Sequence, residues 1–136
     1  MASEDVIERS EDATADWPIA LQAPGEPTVV RARYAMRGPL AAAYPAGTHD
    51  REIRWEGGLS EDALRDVTLY LLAADPRCRR VVLPVPERDL DAIAFAEAAG
   101  YRYVVDVETV VAEQSLLVAE PDWVEAQPSA IEDIPV

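Results

Sequence analysis

Cysteine and histidine are almost absent from this chain: Cys78 and His49 are the one residue of each kind. A lone cysteine permits no internal disulfide, and together the two fall short of the four ligands of an ordinary structural zinc site, so no metal is implied. Positive charge is scarce too. Twelve basic residues stand against 26 acidic ones, a formal net charge of -14 with a pI near 4.3. Such a chain repels a phosphate backbone or an anionic membrane at long range, and neither is an expected partner. The first ten residues are acidic and hold no apolar run, so no secretory signal or spanning segment is expected and a cytoplasmic, soluble protein is the default. At 136 residues there is material for one domain with one modest core.

Residues 1–16 are rich in Ser, Glu, Asp and Ala and cannot offset their own ordering entropy, which predicts a disordered acidic N-terminus. The folded domain is expected over 17–120, followed by an acidic, proline-containing tail over 121–136 in which Trp123 is embedded. Trp17 to Ala23 reads as a short strand that Pro18 confines to an edge or a strand start, and Pro24-Gly25-Glu26-Pro27 reads as a turn. From Thr28 to Met36, Val30, Ala32, Tyr34 and Met36 share one face and Arg31 and Arg33 the other, the period of a half-buried strand. Arg51 to Trp55 is a further strand, stopped by Gly57-Gly58. Ser60 caps a helix running to about Ala74, with Glu61 and Asp62 complementing its dipole. Arg79 to Leu83 is a short buried strand. Asp89 caps a second helix, with Leu90, Ile93 and Ala94 facing inward and Gly100 at its left-handed C-terminal position. Tyr101 to Glu108 alternates clearly, and Gln114 to Ala119 forms the last strand. This order predicts an α/β fold: a mixed, mainly antiparallel sheet with two crossover helices.

Several segments resemble one family. Val29-Val30-Arg31-Ala32-Arg33-Tyr34, Arg37-Gly38-Pro39-Leu40 and Tyr44-Pro45-Ala46-Gly47-Thr48-His49-Asp50 resemble the GNAT acyltransferases of siderophore biosynthesis, which N-acylate hydroxylated lysine or ornithine side chains. Asp75 to Val82, Ala96 to Tyr101 and Val107 to Val118 are similar to the family's fifth strand, following helix and closing hairpin. The resemblance covers about two thirds of the chain and implies a GNAT fold, here truncated: the strand and two helices that wall the acceptor site in the family have only about 25 mainly polar residues to build them from.

The chemistry that the resemblance implies is depleted. Where the family has a histidine taken as a base, Arg54 stands, and a guanidinium that is always protonated accepts no proton. Pro86 replaces an acid after the fifth strand, with Asp89 where the family has Asn. The family's Gly-rich loop holds the CoA pyrophosphate on backbone N–H groups and a helix N-terminus; the corresponding Glu56-Gly57-Gly58-Leu59-Ser60-Glu61-Asp62 is short and sets three carboxylates beside that cradle. No catalytic and no cofactor-binding residue is assigned.

The candidate ligand cleft is Tyr34, His49, Asp50 and Arg54. His49 and Asp50 form a loop pair that the family carries structurally rather than as a base and its orienter. Arg77, Arg79 and Arg80 read as solvated or acid-paired, Cys78 as a small packed residue, and Tyr34, Tyr101 and Tyr103 as core residues whose hydroxyls reach partners. The leading expectation is a degenerate, non-catalytic siderophore-type GNAT-like domain that binds a protein partner or self-associates. One alternative is an active N-acyltransferase using acyl-CoA as donor; another is a small-molecule binder in the remnant cleft, with Arg54 as an anion clamp.

Overall fold

A computed structural model describes residues 6–121. Its strands are β1 Glu8–Glu11, β2 Ile19–Gln22, β3 Val30–Tyr34, β4 Arg51–Trp55, β5 Val81–Pro86, β6 Arg102–Glu108 and β7 Glu113–Ala119; its helices are α1 Glu61–Ala74 and α2 Leu90–Ala98. They form one sheet of order β1-β2-β3-β4-β5-β7-β6, antiparallel throughout except where β4 meets β5. The mixed sheet with two crossover helices agrees with the pattern of the sequence. Among the described residues no helix is long and apolar enough to cross a membrane, and none stands between β1 and β2.

Period-two alternation sorts the sheet into two faces. In β3 and β4 the opposed pairs Val30 with Trp55 and Ala32 with Ile53 line the main core beside Val81, Leu83 and Leu117, while Arg31 with Arg54 and Arg33 with Glu52 line the other face. α1 covers the main core with Leu64, Val67 and Leu71. Its start follows the predicted cap: Ser60 Oγ accepts from the Ala63 N–H at 3.1 Å. Asp89 caps α2 in the same way, accepting from the Ala92 N–H at 3.1 Å. Gly100 takes φ +106, as its place after α2 requires.

Three expectations are corrected. The N-terminal segment expected to be disordered contains β1, held by its ladder to β2, by Arg9 hydrogen-bonding the Tyr70 hydroxyl at 3.4 Å and by Ile7 packing on the core. Its four residues are all exposed, so the strand itself is ordered by hydrogen bonding, and the apolar contact comes from Ile7 just before it. In α2 the inward stripe is Ala92, Ile93 and Ala96, not Leu90 and Ala94; at ~100° per residue Leu90 and Ala94 turn away from the Ala96 face, leaving Leu90 75% exposed. Tyr101 is buried, its hydroxyl 2.6 Å from Thr68 Oγ1, but Tyr103 is exposed because β6 is the outer strand. Nearly all of the predicted tail, with Trp123, lies outside the described residues.

The sheet is nearly cut in two between β4 and β5. Their pairing is limited to Arg51 with Val81 and Glu52 with Val82. The Arg51 N–H donates to the Arg80 carbonyl at 3.1 Å, so by alternation Val82, Pro84 and Pro86 also turn their backbone groups toward β4. Two of those three are prolines with no N–H to donate, and the strands part where they begin.

Candidate functional site

The cleft residues read from the sequence do not converge. Asp50 is buried, and its carboxylate accepts from the N–H groups of Gly47 at 2.8 Å and of Arg79 and Arg80 at 3.2 Å each. Oδ2 closes the loop before β4 on itself at Gly47, and Oδ1 pins that loop to the one before β5. His49 turns away from Asp50: its Nδ1 lies 3.1 Å from Asp75 Oδ2, at the end of α1, and its ring meets Tyr34 edge-on with centroids 5.9 Å apart. The Arg77 N–H, against the opposing effect of burial and with help from His49, holds the Asp75 carboxyl below its ordinary range. Tyr34, His49 and Asp50 therefore share the end of the sheet where β4 begins. Arg54 lies on the opposite face, exposed, 5.7 Å from the Trp17 ring and 3.7 Å from Glu56.

Arg54 instead borders a cavity of about 350 Å3 where β4 and β5 part, together with Trp17, Arg33, Glu52, Ile53 and Pro84. Among the described residues Glu52 is the one acid lining it. Arg33 occupies both carboxylate oxygens, at 3.0 and 3.4 Å, and stacks on Trp17 at 3.8 Å. The guanidinium thus takes up the carboxylate that faces the cavity.

Beyond β4 the loop turns through Gly57, at φ +89, into α1. The Thr28 hydroxyl donates to the Gly58 carbonyl, and the Ser60 hydroxyl donates to Glu26 Oε2 at 3.3 Å. Glu26 thus joins Glu56, Glu61 and Asp62 at this helix end. Two guanidinium groups answer them, Arg54 near Glu56 and Arg65 at 3.0 Å from Asp62. Both pairs are largely exposed and screened, so the acids prevail where an anion would need converging N–H donors.

Cys78 offers no nucleophile. It is fully buried, and burial, reinforced by the charge of Asp50, pushes its thiol up to about 11. Arg80 is engaged by Glu120 and by the Tyr44 hydroxyl, both at 3.3 Å. The residues that reading the sequence missed are Trp17, which covers Arg33, and Arg51, whose guanidinium lies 3.8 Å from the Tyr34 ring centroid. Arg51 carried a signal: it alternates in phase with Ile53 and Trp55, an arginine on a buried face.

No protein-family model matches the sequence, and no curated protein matches it. Solved structures do resemble the fold. The aminoglycoside acetyltransferase AAC(6')-Ib in complex with coenzyme A and kanamycin superposes with a TM-score of 0.63 at 18% identity, over 93% of this chain and 74% of the other. A GNAT-family acetyltransferase from Streptococcus pneumoniae gives 0.52 at 17% identity, over 79% and 69%. The chain has the GNAT fold. An uncharacterised protein from Bacillus halodurans shares it, with a TM-score of 0.67 at 19% identity over 82% of this chain. This chain spans 63% of that protein's length. Relative to the GNAT expectation the strands are in place, including an N-terminal β1, while residues 12–18 alone connect β1 to β2.

Proposed function

We propose that this chain is a GNAT-fold binding module without acyl-transfer activity, acting as an accessory in siderophore or related secondary-metabolite biosynthesis through a protein partner or self-association. The carrying observation is the gathering of Glu26, Glu56, Glu61 and Asp62 at the start of α1. In the GNAT enzymes that the sequence resembles, this helix end receives the CoA pyrophosphate, and here a phosphate would meet carboxylates instead of free donors. The engagement of Glu52 by Arg33 supports the same reading, since it leaves the neighbouring cavity without a free carboxylate. Exposed apolar residues on β6 and the β6–β7 turn, among them Tyr103, Val110 and Val111, favour a macromolecular contact.

Calorimetry with acetyl-CoA, succinyl-CoA and a long-chain acyl-CoA tests this. The expected dissociation constant is above ~1 mM, less than ~4 kcal/mol of binding free energy, and the double change Glu61→Gln with Asp62→Asn should tighten it. Micromolar binding by the unaltered protein would overturn the proposal. Light scattering that finds only monomer, joined to an empty pull-down from the native source, would remove the partner.

A second reading, an acyl-CoA-dependent N-acyltransferase, is favoured by the parting of β4 from β5. The open edge of β4 past Glu52 offers unpaired backbone groups to an extended amide-bearing chain. Turnover of an amine with acetyl-CoA would promote this reading.

A further inference from the structure

The opposite end of β4 carries a different electrostatic arrangement. A cavity of about 460 Å3, within the range of small-molecule sites, opens where β3 ends and β4 begins. Arg51 lines it and is 8% exposed. Among the described residues its guanidinium makes no hydrogen bond and has no carboxylate at ion-pair distance; its contact is the face of Tyr34. Since no buried side-chain nitrogen or oxygen among the described residues is left without a partner, the guanidinium nitrogens of this largely buried residue keep access to the cavity, where no acid stands at ion-pair distance.

Arg37 stands on the other flank of the same ring, 5.7 Å from its centroid, exposed and likewise without an acid at ion-pair distance. The remaining charges on the wall are largely matched. Arg33 is held by Glu52, and Arg9 lies 3.1 Å from Glu11, which leaves Asp16 as the acid on the wall outside any ion pair. Four arginines thus face two carboxylates in a protein whose net charge is -14 and whose twelve basic residues are all arginine.

We propose that this cavity binds a small organic anion through a carboxylate or phosphate group, with Arg51 as the buried anchor and Arg37 as the rim contact. The arginine fork suits either oxyanion, because two parallel N–H donors match two oxygens. The flat Tyr34 ring holds the Arg51 fork in one orientation, so little freedom remains to be lost on binding. Neither α1 nor the β4–α1 loop lines the cavity, and the site stands or falls independently of acyl transfer.

The test uses the full chain. Arginine Nε–H resonances and thermal shift are followed during titration with inorganic phosphate and, separately, with succinate. Sodium chloride at matched ionic strength and neutral succinamide are the controls. Saturable movement of the Arg51 and Arg37 signals with a rise in melting temperature is expected for phosphate, succinate or both, and for neither control; the stronger arm identifies the oxyanion. Arg51→Gln should weaken binding about tenfold or more. Should that variant fold poorly, Arg37→Gln, an exposed change, should still weaken it about threefold to fivefold. Absence of any saturable response would overturn the proposal. Responses unchanged in Arg37→Gln and in a folded Arg51→Gln would overturn it equally.

Discussion

The two ends of β4 invert the usual relation between secondary structure and charge. At its C-terminal end a helix N-terminus points into the loop, the ordinary place for an anion, yet four carboxylates surround it with two exposed arginines in answer. At its N-terminal end no α-helix begins, only the single 3-10 turn Ala35–Arg37, yet among the described residues Arg51 and Arg37 flank Tyr34 with no acid paired to either. Elsewhere in the molecule, Arg80 and Arg102 converge on the Glu120 carboxylate, at 3.3 and 2.8 Å. Acid is plentiful in this chain, so arginines left without one stand out. The comparison teaches that a fold's generic anion site need not be where a particular sequence prefers an anion.

The largest expected effect tests what builds the N-terminal end. Asp50→Ala removes the acceptor of three N–H groups and should cost about 3 kcal/mol or more, read as a lower urea midpoint. A loss under about 1 kcal/mol would show that the two loops are held in register without it.

Next comes the neutralised cluster. Burial raises the Glu120 carboxyl, but the hydrogen bonds and charges of Arg102 and Arg80 outweigh it and hold the group below its ordinary range. Its stabilisation is therefore present above the ordinary glutamate range and lost as pH falls through the folded value. Glu120→Gln should cost about 1–2 kcal/mol at neutral pH, with the gap to the parent closing on acidification. A gap independent of pH would assign the loss to packing.

Arg51→Met sharpens the contrast by its sign. Removing a buried cation that lacks an acid should raise stability by about 1 kcal/mol in the absence of added anion. A clear loss would mean that the Tyr34 stack and the residue's packing outweigh the desolvation cost.

The smallest effect lies at the other end. Glu61→Gln with Asp62→Asn should lower stability by only about 0.3–1 kcal/mol through the helix dipole, while making the helix end more tolerant of phosphate. Tighter CoA binding without any loss of stability would show that the acids oppose ligand and contribute nothing to the helix.

Most of the elements were legible in the sequence because their signals are local. Ser60 and Asp89 cap helices through hydrogen bonds three residues long, and the alternation around Val30 to Tyr34 and Arg51 to Trp55 survives in their pairing. β1 was not legible, because a strand of four exposed residues carries no hydrophobic signature and depends on the free edge of β2. The site was legible only in pieces. His49 and Asp50 are adjacent in the chain, but one turns to Asp75 and the other to Arg79 and Arg80, partners 26 to 30 residues away.

The sequence by itself determined the fold class, the helix caps and the acidity of the α1 start, because composition, period and short-range hydrogen bonding set these without reference to distant residues. Tertiary structure alone decided that Glu52 is consumed by Arg33, that Trp17 covers that pair, and that Arg51 is buried on Tyr34 without an acid. Each of those depends on which strands become neighbours, and a charge acquires its meaning only from the groups that the sheet brings beside it.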